Sequence, residues 1–95
     1  MLKLIEATPL ANYCLQLQFS DGRSGMADLH DLVAAPEPHA FATLKRPQAF
    51  EQCRIEHGAL HWSSELDLAP EYLYFLTFKD DASLREQFKS WGYIA

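Results

Sequence analysis

The segment Tyr13-Cys-Leu-Gln-Leu-Gln-Phe19 constrains the fold of this chain more than any other, because apolar and polar side chains alternate through it without a break. Alternation at period two belongs to a strand with one buried face. Tyr13, Leu15, Leu17 and Phe19 point one way, and Cys14, Gln16 and Gln18 the other. Ser20-Asp21-Gly22 then supplies a tight turn, with Gly22 suited to positive φ, so the chain returns antiparallel. The return strand runs from Arg23 to about Leu29, with Met26 as its best apolar anchor. Upstream, Leu2 to Thr8 reads as a strand ended by Pro9, which lacks an N–H donor, and by Asn12, which tolerates turn dihedrals. Together these strands predict an antiparallel meander.

Beyond it, Leu29, Leu32 and Val33 lead into a loop punctuated by Pro36 and Pro38, after which Phe41 and Leu44 offer a short helical turn. Pro47 suits a helix start, so Pro47 to Gln52 predicts a short helix burying Phe50. Cys53 to Ser63 predicts a second hairpin around His57-Gly58. A two-residue turn there sets Ile55 opposite Leu60 and Cys53 opposite Trp62, all on one face. Arg54, Glu56, Ala59 and His61 take the other. Pro70 starts the next element, and Glu71 to Phe78 favours a helix, although its Tyr-Leu-Tyr-Phe-Leu content also suits a strand. In the C-terminal segment Asp81 or Ser83 can cap a helix, Ser83-Leu-Arg-Glu86 has capping-box spacing and Gly92 can end it. Leu84, Phe88 and Trp91 form an apolar stripe that either docks on the domain's own sheet or contacts a second copy, as a homodimer, or another protein. The fold class that follows is α+β: a three-stranded antiparallel meander plus a second β-hairpin, with short helices and a C-terminal amphipathic helix packed on one face.

With 95 residues the chain makes one domain over 1–95, with a radius of gyration of about 12 Å. Apolar residues at 48% supply a core, yet a domain of this size is marginal, so association with a partner matters energetically. The net charge is −5, and Lys45-Arg46 is the only adjacent pair among eight scattered bases. Phosphate binding needs clustered cations, so direct nucleic-acid binding is disfavoured. Between Arg54 and Lys79 the chain carries Glu56, Glu65, Asp67 and Glu71 with no base, which suits a basic protein surface. No apolar run reaches the ~20 residues of a membrane span. Met1-Leu-Lys-Leu-Ile-Glu6 is interrupted by charge before a signal core could form, and Cys14 and Cys53 lack metal-type or redox-type spacing. A cytoplasmic protein with reduced thiols is expected.

Candidate chemistry is thin. His57 and His61 have the separation of zinc ligands on a helix, but they flank a hairpin turn and Gly58 interrupts helical geometry. Glu65, Asp67 and Glu71 could pair for acid–base work, but Asp67 is better placed to accept N–H bonds near a helix start and Glu71 to favour the first turn. Asp28 and Asp31 bracket His30 at the end of the third strand, which could form a charged site, but solvated helix-entry residues explain them as well. Neither cysteine has an oxyanion-type setting. No catalytic, cofactor-binding or metal-binding residue is therefore assigned. The alternative is a small enzyme or metal-binding protein using His57, His61 and nearby carboxylates.

The order Phe19-Ser-Asp-Gly22, Asp28-Leu29 with Leu32, Phe41 and Leu44, Phe50, then Trp62 with Asp67-Leu-Ala-Pro70-Glu-Tyr-Leu-Tyr74, resembles a bacterial family known as domain of unknown function 2442. The resemblance covers about residues 5–74; residues 79–95 form a helical extension showing one amphipathic helix and no helix-turn-helix. It implies a compact α+β domain, found alone or attached to a helix-turn-helix, in small proteins regarded as antitoxin-like partners of a neighbouring gene product. It brings no catalytic residues. The reading that results is a non-enzymatic module binding a protein partner, with Glu65, Asp67, Glu71, Tyr72 and Tyr74 as contact candidates. Leu84, Phe88 and Trp91 are the self-association candidates.

Overall fold

The computed structural model describes every residue except residue 64. Strands β1 (Leu4–Pro9), β2 (Cys14–Phe19) and β3 (Ser24–Asp28) form an antiparallel sheet in that order. Leu15, Leu17 and Phe19 are buried and the intervening glutamines exposed, as the alternation requires. Asn12 and Tyr13 both take positive φ in the β1–β2 connection, so Tyr13 precedes the strand instead of opening it. Its hydroxyl donates to the Lys45 carbonyl and fastens the connection to the helical layer.

Met26 does not anchor β3. It lies opposite Gln16 and is 55% exposed, whereas Gly25 and Ala27 lie opposite Leu17 and Leu15 on the core face. The cause is the helix α3 (Pro70–Phe78), which comes so close that a Cβ on Gly25 would sit 2.7 Å from Thr77 Cγ2 and 3.3 Å from the Phe78 ring. Only small residues fit there. Gly25→Val is expected to cost about 1–3 kcal/mol of stability by overpacking, measured by urea unfolding; an unchanged midpoint would mean that α3 yields without cost.

The predicted second hairpin is part of a second antiparallel sheet, β4 (Arg54–Glu56), β5 (Ala59–Ser63) and β6 (Leu66–Leu68). Ile55 pairs with Leu60 as the two-residue turn requires, with His57 and Gly58 both at positive φ. β6 corrects the reading of Asp67: it is a strand residue opposite His61, not a helix-start acceptor. The following helix begins after Ala69 with no side-chain cap and with Pro70 in its first turn. Proline supplies the start without a capping carboxylate, since its missing N–H is unpaired there anyway. The two sheets meet where the Leu4 N–H donates to the Gly58 carbonyl at 2.8 Å.

Helices α1 (His30–Ala34) and α2 (Pro47–Phe50), with a 3-10 turn over Ala42–Lys45, fill the connection between the sheets. The Leu29 to Val33 stretch is thus a helix entry and helix, not the lead-in to a loop. α4 (Arg85–Trp91) closes the chain and ends at Gly92, whose φ of +88° lets the Gly92 and Tyr93 N–H groups reach back to the Lys89 and Phe88 carbonyls. Its capping box does not form: the N-cap is Leu84, while Asp81 caps the preceding 3-10 turn through the Ser83 N–H and hydroxyl at 2.9 and 2.7 Å.

Candidate functional site

α1 and α3 stand either side of a groove of about 380 Å³ lined by Asp28, Asp31, Leu32, Ala35, His39, Phe41, Tyr72, Leu76 and Lys79. Each wall has a local cause. Val33 is buried in the core, which turns Leu32 and Ala35 toward the groove as partly exposed residues. On α3, Leu73 is buried, and Tyr72 and Leu76, one turn apart, form the opposite wall. Asp28 ends β3, and its carboxylate accepts the His30 N–H at 2.9 Å, fixing the entry of α1. Asp31 has an exposed side chain whose nearest partner is His30 Nδ1 at 3.4 Å. His39 Nε2 is sealed from solvent with no protein hydrogen-bond partner among the described residues. The site is therefore an apolar, aromatic trough with carboxylates along one side and one ammonium, Lys79.

The contact candidates read from sequence differ in exposure. Tyr72 lines the groove. Tyr74 is only 5% exposed, so it offers no aromatic edge to a partner; its ring packs among Phe19, Phe78, Phe88 and Trp91. Glu65 lies in the turn before β6 and Asp67 on the exposed face of that strand, while Glu71 faces the Tyr93 region in the first turn of α3. Of the self-association stripe, Phe88 is buried, and its ring meets Phe75 at 5.1 Å and Tyr74 at 6.4 Å. Phe88 and Trp91 thus pack within the chain against the α3 rings of Tyr74 and Phe75, while Leu84 and Trp91 stay partly exposed.

His57 occupies the hairpin turn, and His61 lies on β5 with its Nδ1 3.8 Å from Glu56 Oε2. Among the described residues no three His, Cys, Asp or Glu side chains converge to hold a metal ion. Burial, reinforced by the Asp28 carboxylate, pushes the Cys14 thiol up, and burial does the same for Cys53. Both changes oppose thiolate chemistry. Among the described residues no helix is long and apolar enough to cross a membrane.

Outside the groove, one polar network ties the β2–β3 turn to α3. The Tyr74 hydroxyl donates to Asp21 Oδ2 at 2.7 Å, and Arg23 Nη1 lies 3.4 Å from Asp81 Oδ2. Burial and the Asp21 carboxylate push the Tyr74 phenol up to about 12. Burial pushes the Asp21 carboxyl up, but the Tyr74 hydroxyl, the Arg23 N–H and the Arg23 guanidinium together hold it below its ordinary 3.8. A raised phenol contributes stability that is complete below its unfolded value and lost as pH rises through the folded one. A depressed carboxyl contributes stability lost as pH falls through its folded value. Tyr74→Phe is expected to cost about 1.5–3 kcal/mol near neutrality, as for a hydrogen bond to a charged group. The difference from the parent narrows between pH 10 and 12, and again below about pH 4. Unfolding curves across that range test this, and a difference independent of pH would contradict it.

Sequence reasoning passed over His39, Leu76 and Lys79. The Tyr72/Leu76 spacing was the available signal, but it counts only once residues 71–78 are helical. With this geometry in view, the chain matches the family described as "Protein of unknown function (DUF2442)" over residues 4–84. That range extends past the expected 5–74 through the 3-10 turn before α4. The fold is similar to the crystal structure of "Putative DNA Binding Protein NE0471" from Nitrosomonas europaea ATCC 19718, with a TM-score of 0.69 and 18% identity. The match covers 100% of this chain and 63% of that one, and at this identity it shows the fold alone. No curated protein matches the chain.

Proposed function

The chain belongs to the DUF2442 family, and from its groove we infer that it is a non-enzymatic protein-interaction module. The observation that carries this reading is the trough between α1 and α3, where Tyr72 and Phe41 present aromatic surface beside Leu32 and Leu76 while Asp28 and Asp31 supply negative charge. Aromatic groups in concave, apolar settings anchor interfaces, and complementary charge steers encounter. With a net charge of −5, the suited partner is a basic protein, and the finer reading is an antitoxin-like role toward a neighbouring gene product.

Co-expression with the adjacent open reading frame and affinity capture should return a complex, and Asp31→Lys should weaken it by about fivefold or more, because an exposed rim charge is reversed. Absence of any complex would overturn the antitoxin-like role toward that gene product. The name of the structural neighbour brings DNA forward as the other ligand. The scattered bases of this chain oppose that, because cation clustering dominates such affinity. Duplex DNA at low salt is expected to show no mobility shift with this chain, and a shift abolished by added salt would favour DNA instead.

A further inference from the structure

Resting on the interaction reading, we propose that the groove between α1 and α3 receives an arginine side chain of the partner. The lining divides into two kinds of surface that together match one group. Phe41 and Tyr72 line the trough together with Leu32 and Leu76, and such an aromatic, apolar lining suits a planar, weakly hydrated cation. Asp28 and Asp31 offer carboxylate oxygens. Asp28 accepts the His30 N–H through Oδ1 and stands beside the Cys14 thiol, while Asp31 has a fully exposed carboxylate whose neighbour is the His30 ring at 3.4 Å. An aliphatic side chain would leave these carboxylates unused. A lysine would bring a compact, strongly hydrated ammonium that stacks poorly on the rings. A guanidinium, with its fork of donors and flat apolar faces, satisfies both surfaces.

Lys79 sits at the end of the same trough and repels such a guest. The two carboxylates outweigh its single charge, and the flexible exposed ammonium can swing away from the occupant. This makes a signed prediction: removing Lys79 should tighten binding, while removing Asp31 charge should weaken it.

The test uses the full chain labelled with ¹⁵N and two neutral-backbone probes, N-acetyl-L-arginine amide and its citrulline counterpart, which has similar shape and no charge. The arginine probe is expected to produce saturable shifts at the backbone amides of Leu32, Ala35 and Leu76, with millimolar affinity, and the citrulline probe to produce none. Asp31→Asn should weaken the arginine probe about two- to fivefold, as for an exposed ion pair, and Lys79→Ala should strengthen it. Asp28→Asn, which keeps an oxygen for the His30 N–H, serves as the second carboxylate variant. No shift at about 50 mM probe, where even millimolar binding saturates, equal shifts from citrulline, or shifts mapping elsewhere would overturn the proposal. If the probe fails while the co-expressed partner is still captured, the arginine assignment falls and the interaction reading stands; if the probe binds but no partner is captured, the neighbouring-gene reading falls.

Discussion

Trp62→Ala is expected to remove about 3–5 kcal/mol of stability, the range for deleting a large buried aromatic. For 95 residues the total stability is about 5–14 kcal/mol, so the variant should be largely unfolded at 37 °C or melt far below the parent. The size of the effect follows from what Trp62 joins. Its side chain leaves β5 and packs against Phe41 at 6.2 Å and Phe50 at 6.0 Å, coupling the second sheet to the 3-10 turn and α2. Its Nε1–H donates to the Phe50 carbonyl at 2.8 Å, at the end of α2, where no helical donor follows. Trp62→Phe separates the two contributions: it keeps much of the packing but strands that carbonyl, at about 1–3 kcal/mol. Denaturant unfolding of both variants tests this, and a Trp62→Ala loss under about 1.5 kcal/mol would mean that Trp62 is not the link between these layers.

Phe88→Ala should cost a similar amount, about 3–5 kcal/mol, and should release α4 while leaving the first sheet folded. Phe88 is 1% exposed and sits between the Phe75 and Tyr74 rings, so its loss opens a cavity under a seven-residue helix with no side-chain cap of its own. Isolated helices that short are not stable in water. Native-state hydrogen exchange should therefore show faster exchange over Arg85–Trp91 than over Leu15–Phe19. Uniform loss of protection would contradict the separate docking of α4.

Much of this architecture was readable from local pattern. The Leu15/Leu17/Phe19 alternation, the Gly22 turn, the Ile55–Leu60 register and the Pro70 and Gly92 boundaries depend on neighbours in sequence, and they occur as expected. The misreadings share a non-local cause. Met26 is more apolar than Gly25 or Ala27, yet the approach of α3 decides which face of β3 is inward. Leu66–Leu68 is too short to announce a strand; its pairing with β5 makes it one, and that pairing takes Asp67 away from the helix start. The groove was the least legible part. Its walls come from residues 28–41 and 72–79, which only tertiary folding brings together, and its carboxylates are individually ordinary helix-entry residues.

The central claim is that the groove between α1 and α3 is the surface a protein partner covers. Hydrogen exchange on the complex with the co-expressed neighbouring protein, compared with the free chain, tests it most directly. Protection is predicted over Asp31–Ala35 and Tyr72–Lys79, with β2 unchanged. Protection confined to the outer face of the first sheet, or to the exposed side of α4, would contradict it.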